Sequence, residues 1–358
     1  MHHPDICIAG AGIIGLTLAL ELHHRGIAVT VLDQATPLAE ASTAAAGMLA
    51  AGDPHNPPQL GPLAGLSLSL YPNFLDRLHS LSGIRVPFQT STTLQALLAE
   101  TPGTGNQLAP EHLIQLLPAL IRGNNRFILL DEHSLDPRQL ASALLAAVRA
   151  TPIDLRPHTR ALSIRSIDNG IEVNTPAGVL PARQFVDCTG AWASTTSHLS
   201  GIQVVPKKGQ MLSVSLPTSL PLHLVVRTPD IYIVPRTSGP NAGRAIIGAT
   251  IEDAAFDKTI HPSDIAYLHS LAVRLLPPLA NATQLEAWAG LRPATPDGVP
   301  LLGALSDHPN HFIATGHYRD GILLAPGTAH VMAQLLSGEN PSIDLTPYTP
   351  TRTVPATA

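Results

Sequence analysis

The stretch DICIAGAGIIGLTLALELHHRGIAVTVLD, residues 5–33, decides the fold of this chain. Residues 5–9 and 28–33 are short apolar runs of the kind that form buried parallel strands. Between them, residues 13–25 carry apolar side chains at helical spacing, with Leu16 and Leu20 on the inward side. Strand, helix and strand in this order predict an α/β unit built on a parallel sheet.

The turn GAGIIG, residues 10–15, joins the first strand to the helix. Gly10 permits a tight turn, Gly12 lets the backbone approach a pyrophosphate, and Gly15 lets the helix pack closely on the strand. The positive end of the helix attracts the anion, and Asp33 at the end of the second strand can accept ribose hydroxyls. The unit therefore predicts a dinucleotide site, and by itself it leaves both FAD and NAD open.

Composition limits the class of protein further. The chain has 358 residues, enough for two domains, with 44% hydrophobic and 13% charged residues and a formal net charge of -5. Its lysines form no run that would neutralise phosphates, and Lys207 and Lys208 are predicted to be solvated charges at a strand end. We expect neither a nucleic-acid nor a membrane partner.

Several other chemistries find no support in the sequence. The 17 histidines form no close Cys/His cluster and no HExxH motif, so no metal site is predicted, and no GxSxG elbow suggests a hydrolase. The apolar residues 6–20 are broken by glycines and lack a basic leader, which argues against a signal peptide. With Cys7 and Cys188 as buried thiols, we expect a soluble cytoplasmic enzyme.

The rest of the chain predicts a second sheet. Residues 137–150 form a helix with Asp136 as N-cap, and short alternating runs over 161–189 predict a small β-meander. Residues 202–251 alternate with period two, which predicts a mostly antiparallel sheet, and 263–276 predict one helix across it. The predicted fold class is α/β, with a Rossmann-like dinucleotide domain and a second domain built on this sheet.

Five segments carry a family resemblance. They are STAAAGML (42–49), VDCTGAWA (186–193), IYIVPR (231–236), WAGLRPATPDGVPLLG (288–303) and GHYRDGILLAP (316–326). Together with the glycine-rich turn they resemble the D-amino-acid oxidase superfamily of FAD-dependent oxidoreductases, and in particular the glycine oxidases associated with thiamine biosynthesis. One departure is Asp320, which stands where asparagine is common in the family.

The resemblance implies a glutathione-reductase-like FAD-binding domain made of residues 1–85, 137–200 and 286–358, and a substrate-binding domain made of 86–136 and 201–285. It implies noncovalent FAD, since neither cysteine lies near residues 316–321, the C-terminal turn that passes the flavin in this family. The residues it assigns to the cofactor are Gly10, Gly12, Ile13, Ile14, Gly15, Asp33, Gln34, Ser42, Thr43, Ala45, Ala46, Gly47, Met48, Thr189, Gly190, Trp192, Gly316, His317, Tyr318, Arg319, Asp320, Gly321 and Ile322.

For activity, the resemblance implies oxidative deamination of glycine or another small amine, such as sarcosine or D-alanine. Arg292 and Tyr232 would bind the substrate carboxylate, with Arg319 beside them. Dioxygen would be the electron acceptor, and family members are often homo-oligomers, including tetramers. The helix after Pro326, which the sequence puts in its first turn, would point its positive end at the flavin.

Two alternatives remain at this point. A D-amino-acid dehydrogenase or a cyanide-forming glycine dehydrogenase shares the fold and passes electrons to an acceptor other than oxygen. A flavin-binding module without turnover is the second alternative.

Overall fold

The computed structural model describes residues 4–97, 107–195, 202–306 and 308–352. The strands in these ranges are β1 Ile6–Ala9, β2 Val29–Leu32, β3 Phe88–Thr90, β4 Thr93–Leu97, β5 Arg126–Leu130, β6 Ser134–Leu135, β7 Asp154–Arg156, β8 Ser163–Ile167, β9 Gly170–Thr175, β10 Gly178–Ala182, β11 Gln184–Asp187, β12 Val205–Ser215, β13 Val225–Arg227, β14 Tyr232–Arg236, β15 Arg244–Gly248, β16 Thr283–Ala294, β17 Leu301–Leu305 and β18 His308–Thr315. The α-helices are α1 Ile13–His24, α2 Ala41–Ala44, α3 Gly61–Ser82, α4 Pro110–Leu116, α5 Pro137–Arg149, α6 Pro262–Leu275 and α7 Gly321–Leu336.

The first sheet has the strand order β17-β18-β11-β1-β2-β7. Its pairings are parallel except that of the edge strand β17, which is antiparallel to β18. Helices α1, α3, α5 and α7 contribute buried side chains to the main core on one face of this sheet, where Ile6 and Ile8 of β1 also point. The predicted strand–helix–strand unit is confirmed, with α1 ending at His24.

The predicted β-meander covers the opposite face of the first sheet. Strands β8, β9 and β10 pair antiparallel, and Ile171 and Val173 of β9 pack on Cys7 and Ala9 of β1. Side chains alternate between the two faces of a strand, so β1 buries alternate residues in two different cores. The thiols of Cys7 and Cys188 are both buried, as expected.

The second sheet has the order β16-β12-β15-β14-β13-β4-β5 and is antiparallel apart from the β13–β4 pair. On one face Leu212, Ile233 and Ile247 pack against α6 in an apolar cluster. The opposite face turns toward the first sheet. This sheet and its helix confirm the period-two prediction, and the helix lies within one residue of its predicted bounds. The proposed division of the chain into domains stays a prediction.

The prediction for Lys208 is wrong. Its side chain lies on the α6 face of β12 with no exposed surface, and its Nζ is 3.2 Å from Glu252 Oε2. Lys207 points to the other face and pairs with Asp253. Period-two alternation separates the two lysines, and the ion pair with Glu252 offsets the cost of burying a charge.

Pro326 lies inside α7 and not in its first turn, because the helix begins earlier, at Gly321. A proline at this position cannot donate to the carbonyl of Ile322. Tyr71 of α3 donates its hydroxyl to that carbonyl instead. The Ser67 hydroxyl next to it donates to Leu323 O at 2.5 Å and accepts from Gly327 N at 3.0 Å. Helix α3 therefore completes the hydrogen bonds that the proline interrupts.

The cap of α5 is confirmed, since the Asp136 carboxylate accepts from Arg138 N at 3.0 Å. In the part of the chain that the structure describes, no helix is long and apolar enough to cross a membrane.

Candidate active site

A cavity of about 670 Å³ lies between the two sheets. Its walls come from the carboxyl ends of β1 and β2, the loop around α2, the turn after β11, the inward face of the second sheet and the start of α7. Ligands of parallel α/β sheets bind outside the carboxyl ends of the strands, which is where this cavity begins.

The glycine-rich turn forms one end of the cavity. A Cβ on Gly10, whose φ is +102°, would lie 2.3 Å from Cys188 O, and a Cβ on Gly15 would lie 2.0 Å from Gly10 O. Both positions therefore require glycine for backbone packing. Ser42 Oγ accepts from Ile13 N at 2.9 Å, while the next amides of the α1 N-terminus have no intrahelical partner. The turn thus presents backbone donors and a positive helix end toward the cavity.

Asp33 is fixed at the end of β2 by two backbone amides. Its Oδ2 accepts from Ala11 N at 2.7 Å and its Oδ1 accepts from Ala35 N at 2.8 Å. Burial raises the pKa of this carboxyl, although the two N–H donors act in the opposite direction. Each carboxylate oxygen keeps a lone pair for a further donor. Since Asp33 borders the cavity, it can accept hydroxyl donors of a ribose there.

Hydrogen bonds from the second sheet hold the loop of small residues 42–49 in place. Trp288 Nε1 donates to Ala44 O at 3.0 Å, and Arg236 Nη2 donates to Ala46 O at 2.8 Å. A Cβ on Gly47 would lie 2.1 Å from Leu135 O, and one on Gly290 would lie 2.5 Å from the Ala44 Cβ. Small residues are thus required on both sides of this contact, and the backbone of the loop faces the cavity directly.

The turn after β11 meets the loop between β15 and α6. The ring of Phe256 stacks on Trp192 with centroids 5.5 Å apart, and Lys258 Nζ lies 2.9 Å from Glu40 Oε2. Trp192 and Glu40 both border the cavity. Residues 251–258 therefore join the second sheet to two walls of the dinucleotide end.

Arg292 and Tyr232 lie together on the inward face of the second sheet. The positive charge of Arg292 lies next to the Tyr232 hydroxyl, and its Nη1 donates to Thr250 O at 3.2 Å. Burial raises the pKa of Tyr232, so the hydroxyl keeps its proton and can donate it. Among the described residues, no Asp or Glu side chain pairs with Arg292. The pair leaves a cationic fork and a hydroxyl donor facing the cavity, a set that suits a carboxylate.

Two glycines make room for this pair. A Cβ on Gly248 would lie 2.4 Å from the Tyr232 hydroxyl oxygen, and a Cβ on Gly209 would lie 2.3 Å from Arg292 Nη1. Strand pairing places Tyr232 directly opposite Gly248 and Arg292 opposite Lys207, two residues from Gly209. The large polar side chains thus fold over the neighbouring glycine backbone.

The C-terminal turn closes the cavity beside α7. Burial lowers the pKa of His317 to about 3, so its ring is neutral, and its Nε2 lies 3.0 Å from Thr328 Oγ1. Asp320 precedes the first residue of α7, and burial raises the pKa of its carboxyl to about 6. Arg319 is one-third exposed and lies 3.7 Å from Asp53 Oδ2. The turn therefore combines a neutral imidazole, a buried acid and an arginine at the rim.

The sequence did not indicate the buried ionic cluster next to this turn. Arg227 of β13 has its Nη2 3.1 Å from Glu132 Oε2 and its Nε 3.6 Å from Asp53 Oδ2, and it donates to Gln95. Burial raises the pKa of Glu132, whereas the positive charge of Arg227 and the His55 donors hold the pKa of Asp53 below its usual value despite burial. Arg227 lies opposite Tyr232 in the sheet, so the alternation of β13 and β14 could have placed it at the cavity. Nothing in the Pro-rich loop around Asp53 signals its role.

The structure brings nearly all predicted site residues to this cavity. Those that border it are Gly10, Gly12, Ile13, Ile14, Asp33, Gln34, Ser42, Ala45, Ala46, Gly47, Met48, Thr189, Gly190, Trp192, Tyr232, Arg292, His317, Tyr318, Arg319, Asp320, Gly321 and Ile322. Gly15, Thr43 and Gly316 are not among its walls. Gly15 serves the helix–strand contact, and the Thr43 hydroxyl donates to Leu38 O at 2.9 Å. A Cβ on Gly316 would lie 2.6 Å from Thr295 Cγ2, so this glycine shapes the turn.

The residues present fit an FAD molecule. Backbone donors at a helix N-terminus, a carboxylate at the end of the second strand and an open small-residue backbone are what its pyrophosphate, ribose and ring require. Within the described ranges, no group of three or more His, Cys, Asp or Glu is arranged to hold a metal ion.

The chain belongs to the DAO family of FAD dependent oxidoreductases, whose sequence pattern matches residues 5–335. The bifunctional protein ThiO/ThiG of Trichormus variabilis is 36% identical over 93% of this chain and 52% of its own length, so the chain spans about half of that relative. Glycine oxidase of Pseudomonas aeruginosa is 31% identical over 96% of this chain and 98% of its own. The crystal structure of glycine oxidase from Geobacillus kaustophilus has a TM-score of 0.91 at 29% identity, covering 99% of this chain and 100% of that chain.

These findings confirm the predicted family, the α/β fold class and FAD as the cofactor, and they decide between FAD and NAD at the glycine-rich turn. The roles of the individual site residues stay predictions.

Proposed function

We propose that this enzyme oxidises glycine or a similarly small amine, such as sarcosine or D-alanine, in a reaction that serves thiamine biosynthesis. Glycine, water and dioxygen would give glyoxylate, ammonia and hydrogen peroxide. The observation that carries the proposal is the Arg292–Tyr232 pair, which borders the same cavity as the dinucleotide turn and has no carboxylate partner among the described residues. Relatives that carry the name glycine oxidase support the substrate class.

Substrate binding would rest on the carboxylate. The Arg292 fork can donate two parallel hydrogen bonds to it, and the Tyr232 O–H can donate a third. Three donors fix both the distance and the rotation of the carboxylate, and hence the direction in which the α-carbon points. The glycines at 209 and 248 let this donor set lie flat against the sheet.

The side chains of the site would position the substrate rather than transfer its protons. When bound, FAD accepts a hydride equivalent from the α-carbon of an amine. His317 is neutral and engaged with Thr328, and Tyr232 stays protonated, so neither is arranged as a strong base. The substrate amine would therefore react in its unprotonated form. Its imine product hydrolyses without a further protein group.

Arg319 is proposed as a contact at the rim of the site. Its Nη2 donates to Asn56 Oδ1 at 3.3 Å and faces Asp53, so it is already partly neutralised. We therefore assign the substrate carboxylate mainly to Arg292. Binding of FAD is proposed to be noncovalent, because burial raises the pKa of the Cys188 thiol and keeps it protonated beside the glycine-rich turn, away from the C-terminal turn.

Dioxygen is the proposed acceptor, and a cytoplasmic homo-oligomer remains the expected form. The test is hydrogen peroxide measured by a peroxidase-coupled assay during aerobic turnover of purified FAD-loaded protein with glycine, sarcosine and D-alanine. Peroxide with at least one amine is expected. Flavin reduction without peroxide would favour a dehydrogenase that uses another acceptor. A flavin that none of the amines reduces would favour a binding module.

A further inference from the structure

The orientation of the Arg292 guanidinium depends on residues 250–252, which lie outside the regular strands. Its Nη1 donates to Thr250 O at 3.2 Å and approaches Lys208 O at 3.5 Å. Strand β15 ends at Gly248, so the Thr250 carbonyl is not held by the β15 ladder. The direction of the guanidinium fork is therefore only as well defined as the position of residues 250–252.

Gln210 ties this segment to the second sheet. Its backbone N donates to Thr250 Oγ1 at 2.8 Å, and its side-chain Nε2 donates to Glu252 Oε1 at 2.8 Å. The Thr250 hydroxyl donates to the same Glu252 oxygen. The backbone of Glu252 also exchanges two hydrogen bonds of 3.0 Å with the backbone of Lys208 in β12. Residues 250–252 are thus cross-linked to β12 by both backbone and side chains.

The Gln210 amide also holds the far end of the same connection. Its Nε2 donates to Asp264 Oδ2 at 2.6 Å, and its Oε1 accepts from His261 N at 2.7 Å. The side chain is fully buried, and both N–H groups and the oxygen are used. One amide therefore joins the two ends of the segment that leads from Thr250 to α6.

The chemistry of this position requires a glutamine. The carboxylates of Glu252 and Asp264 both converge on one NH₂ group, which keeps the two negative charges together. Without that donor the carboxylates repel each other, and the buried N–H of His261 loses its partner. The backbone pairing with Lys208 and the Lys208–Glu252 ion pair would remain, but the Glu252 carboxylate, to which the Thr250 hydroxyl donates, would no longer be fixed in one position, and the Thr250 carbonyl would lose part of its support.

We infer that Gln210 is a positioning residue that holds the Thr250 carbonyl under Arg292 and thereby sets the affinity of the site for the substrate carboxylate. This inference rests on the proposed function, because it gives Arg292 the carboxylate. Gln210 does not border the cavity and lies on the α6 face of β12, so it touches neither substrate nor cofactor.

The test is a double-mutant cycle of Gln210→Met and Arg292→Met. The ligand is acetate, which carries a carboxylate and no amine, titrated into the FAD-loaded protein and followed by the flavin absorbance. Gln210→Met is expected to raise the acetate Kd about tenfold, the equivalent of one hydrogen bond. In the Arg292→Met background, Gln210→Met is expected to change the Kd no further, because its effect passes through Arg292. With glycine, KM should rise while kcat changes less.

Thr250→Val is a second variant that removes only the hydroxyl. It should also raise the acetate Kd, by a smaller factor than Gln210→Met. Ile171→Ala is the matched control, because Ile171 is fully buried in the β-meander and its truncation destabilises the fold far from Arg292.

Three results would overturn the inference. The first is an unchanged acetate Kd in both Gln210→Met and Thr250→Val. The second is that Gln210→Met raises the Kd by the same factor in the Arg292→Met background, and the third is that Ile171→Ala raises the Kd as much as Gln210→Met does. An unchanged Kd in Arg292→Met alone would refute the carboxylate assignment itself, and the inference with it.

Discussion

Replacing Arg292 by lysine tests the carboxylate site most specifically. Lysine keeps the positive charge but cannot form two parallel hydrogen bonds, and its ammonium cannot reach both the substrate and the Thr250 carbonyl in the same geometry. Losing one charge-assisted hydrogen bond in a partly buried site costs about 1.5–3 kcal/mol. That energy corresponds to a decrease in kcat/KM of about 10- to 100-fold. Methionine also removes the charge, so we expect a decrease of about 100- to 1000-fold.

Initial rates of glycine oxidation measure both variants, with the flavin content of each preparation as the control for folding. A rise in KM with a smaller change in kcat is expected for lysine, since the lost contact holds the substrate before and during reaction. A decrease in kcat/KM of less than about threefold in both variants, with full flavin content, would refute the assignment.

Three further predictions concern the cofactor end and the buried acid. Gly15→Ala should abolish FAD retention, because its Cβ would lie 2.0 Å from Gly10 O, whereas Gly65→Ala in α3, whose Cβ meets no atom within 4 Å, should retain FAD. Retention in both variants would contradict the packing argument. Phe256→Ala should speed FAD release roughly fivefold through loss of the Trp192 stack, measured by flavin fluorescence on dilution, with the exposed Tyr267→Ala as the control; equal rates would contradict it. Burial raises the pKa of Asp320 to about 6 from 3.8, so the folded state binds the extra proton and stability falls as the pH rises between these values. Asp320→Asn should remove that fall and gain up to about 3 kcal/mol near pH 8, but not below about pH 4, in urea unfolding; an equal difference at both pH values would contradict it.

Features set by local spacing could be predicted from the sequence. Gly15 is required by the backbone of Gly10, and the Asp136 cap depends on Arg138, so each rests on a neighbour within a few positions. The period of residues 202–251 likewise predicted the mostly antiparallel second sheet. The family resemblance then placed Arg292 and Tyr232 in one site, and the structure brings them together.

Features that depend on distant partners could not be predicted. Lys208 is buried because Glu252, 44 positions away in the chain, returns beside it, and no local pattern records that pairing. The cluster around Arg227 draws its acids from two separate segments, at Asp53 and Glu132. Asp320 resembles asparagine in shape, but only the fold shows that its charge is buried.

The start of α7 could be predicted only in part, because it depends on both local sequence and distant partners. The sequence indicated a helix with Pro326 near its beginning, but not that the helix begins at Gly321. That extension depends on Tyr71 and Ser67, whose hydroxyls replace the hydrogen bonds lost at the proline. These two side chains belong to a helix about 250 residues earlier in the chain.

The central claim is that an amine with a carboxylate, held by Arg292, reduces the flavin. Anaerobic titration of the FAD-loaded protein with glycine, followed by the visible flavin absorbance, tests it directly, because it requires no electron acceptor. We predict stoichiometric bleaching by glycine, and bleaching only at much higher glycine concentrations in Arg292→Met. A protein that stays fully yellow with glycine, sarcosine and D-alanine alike would contradict the account.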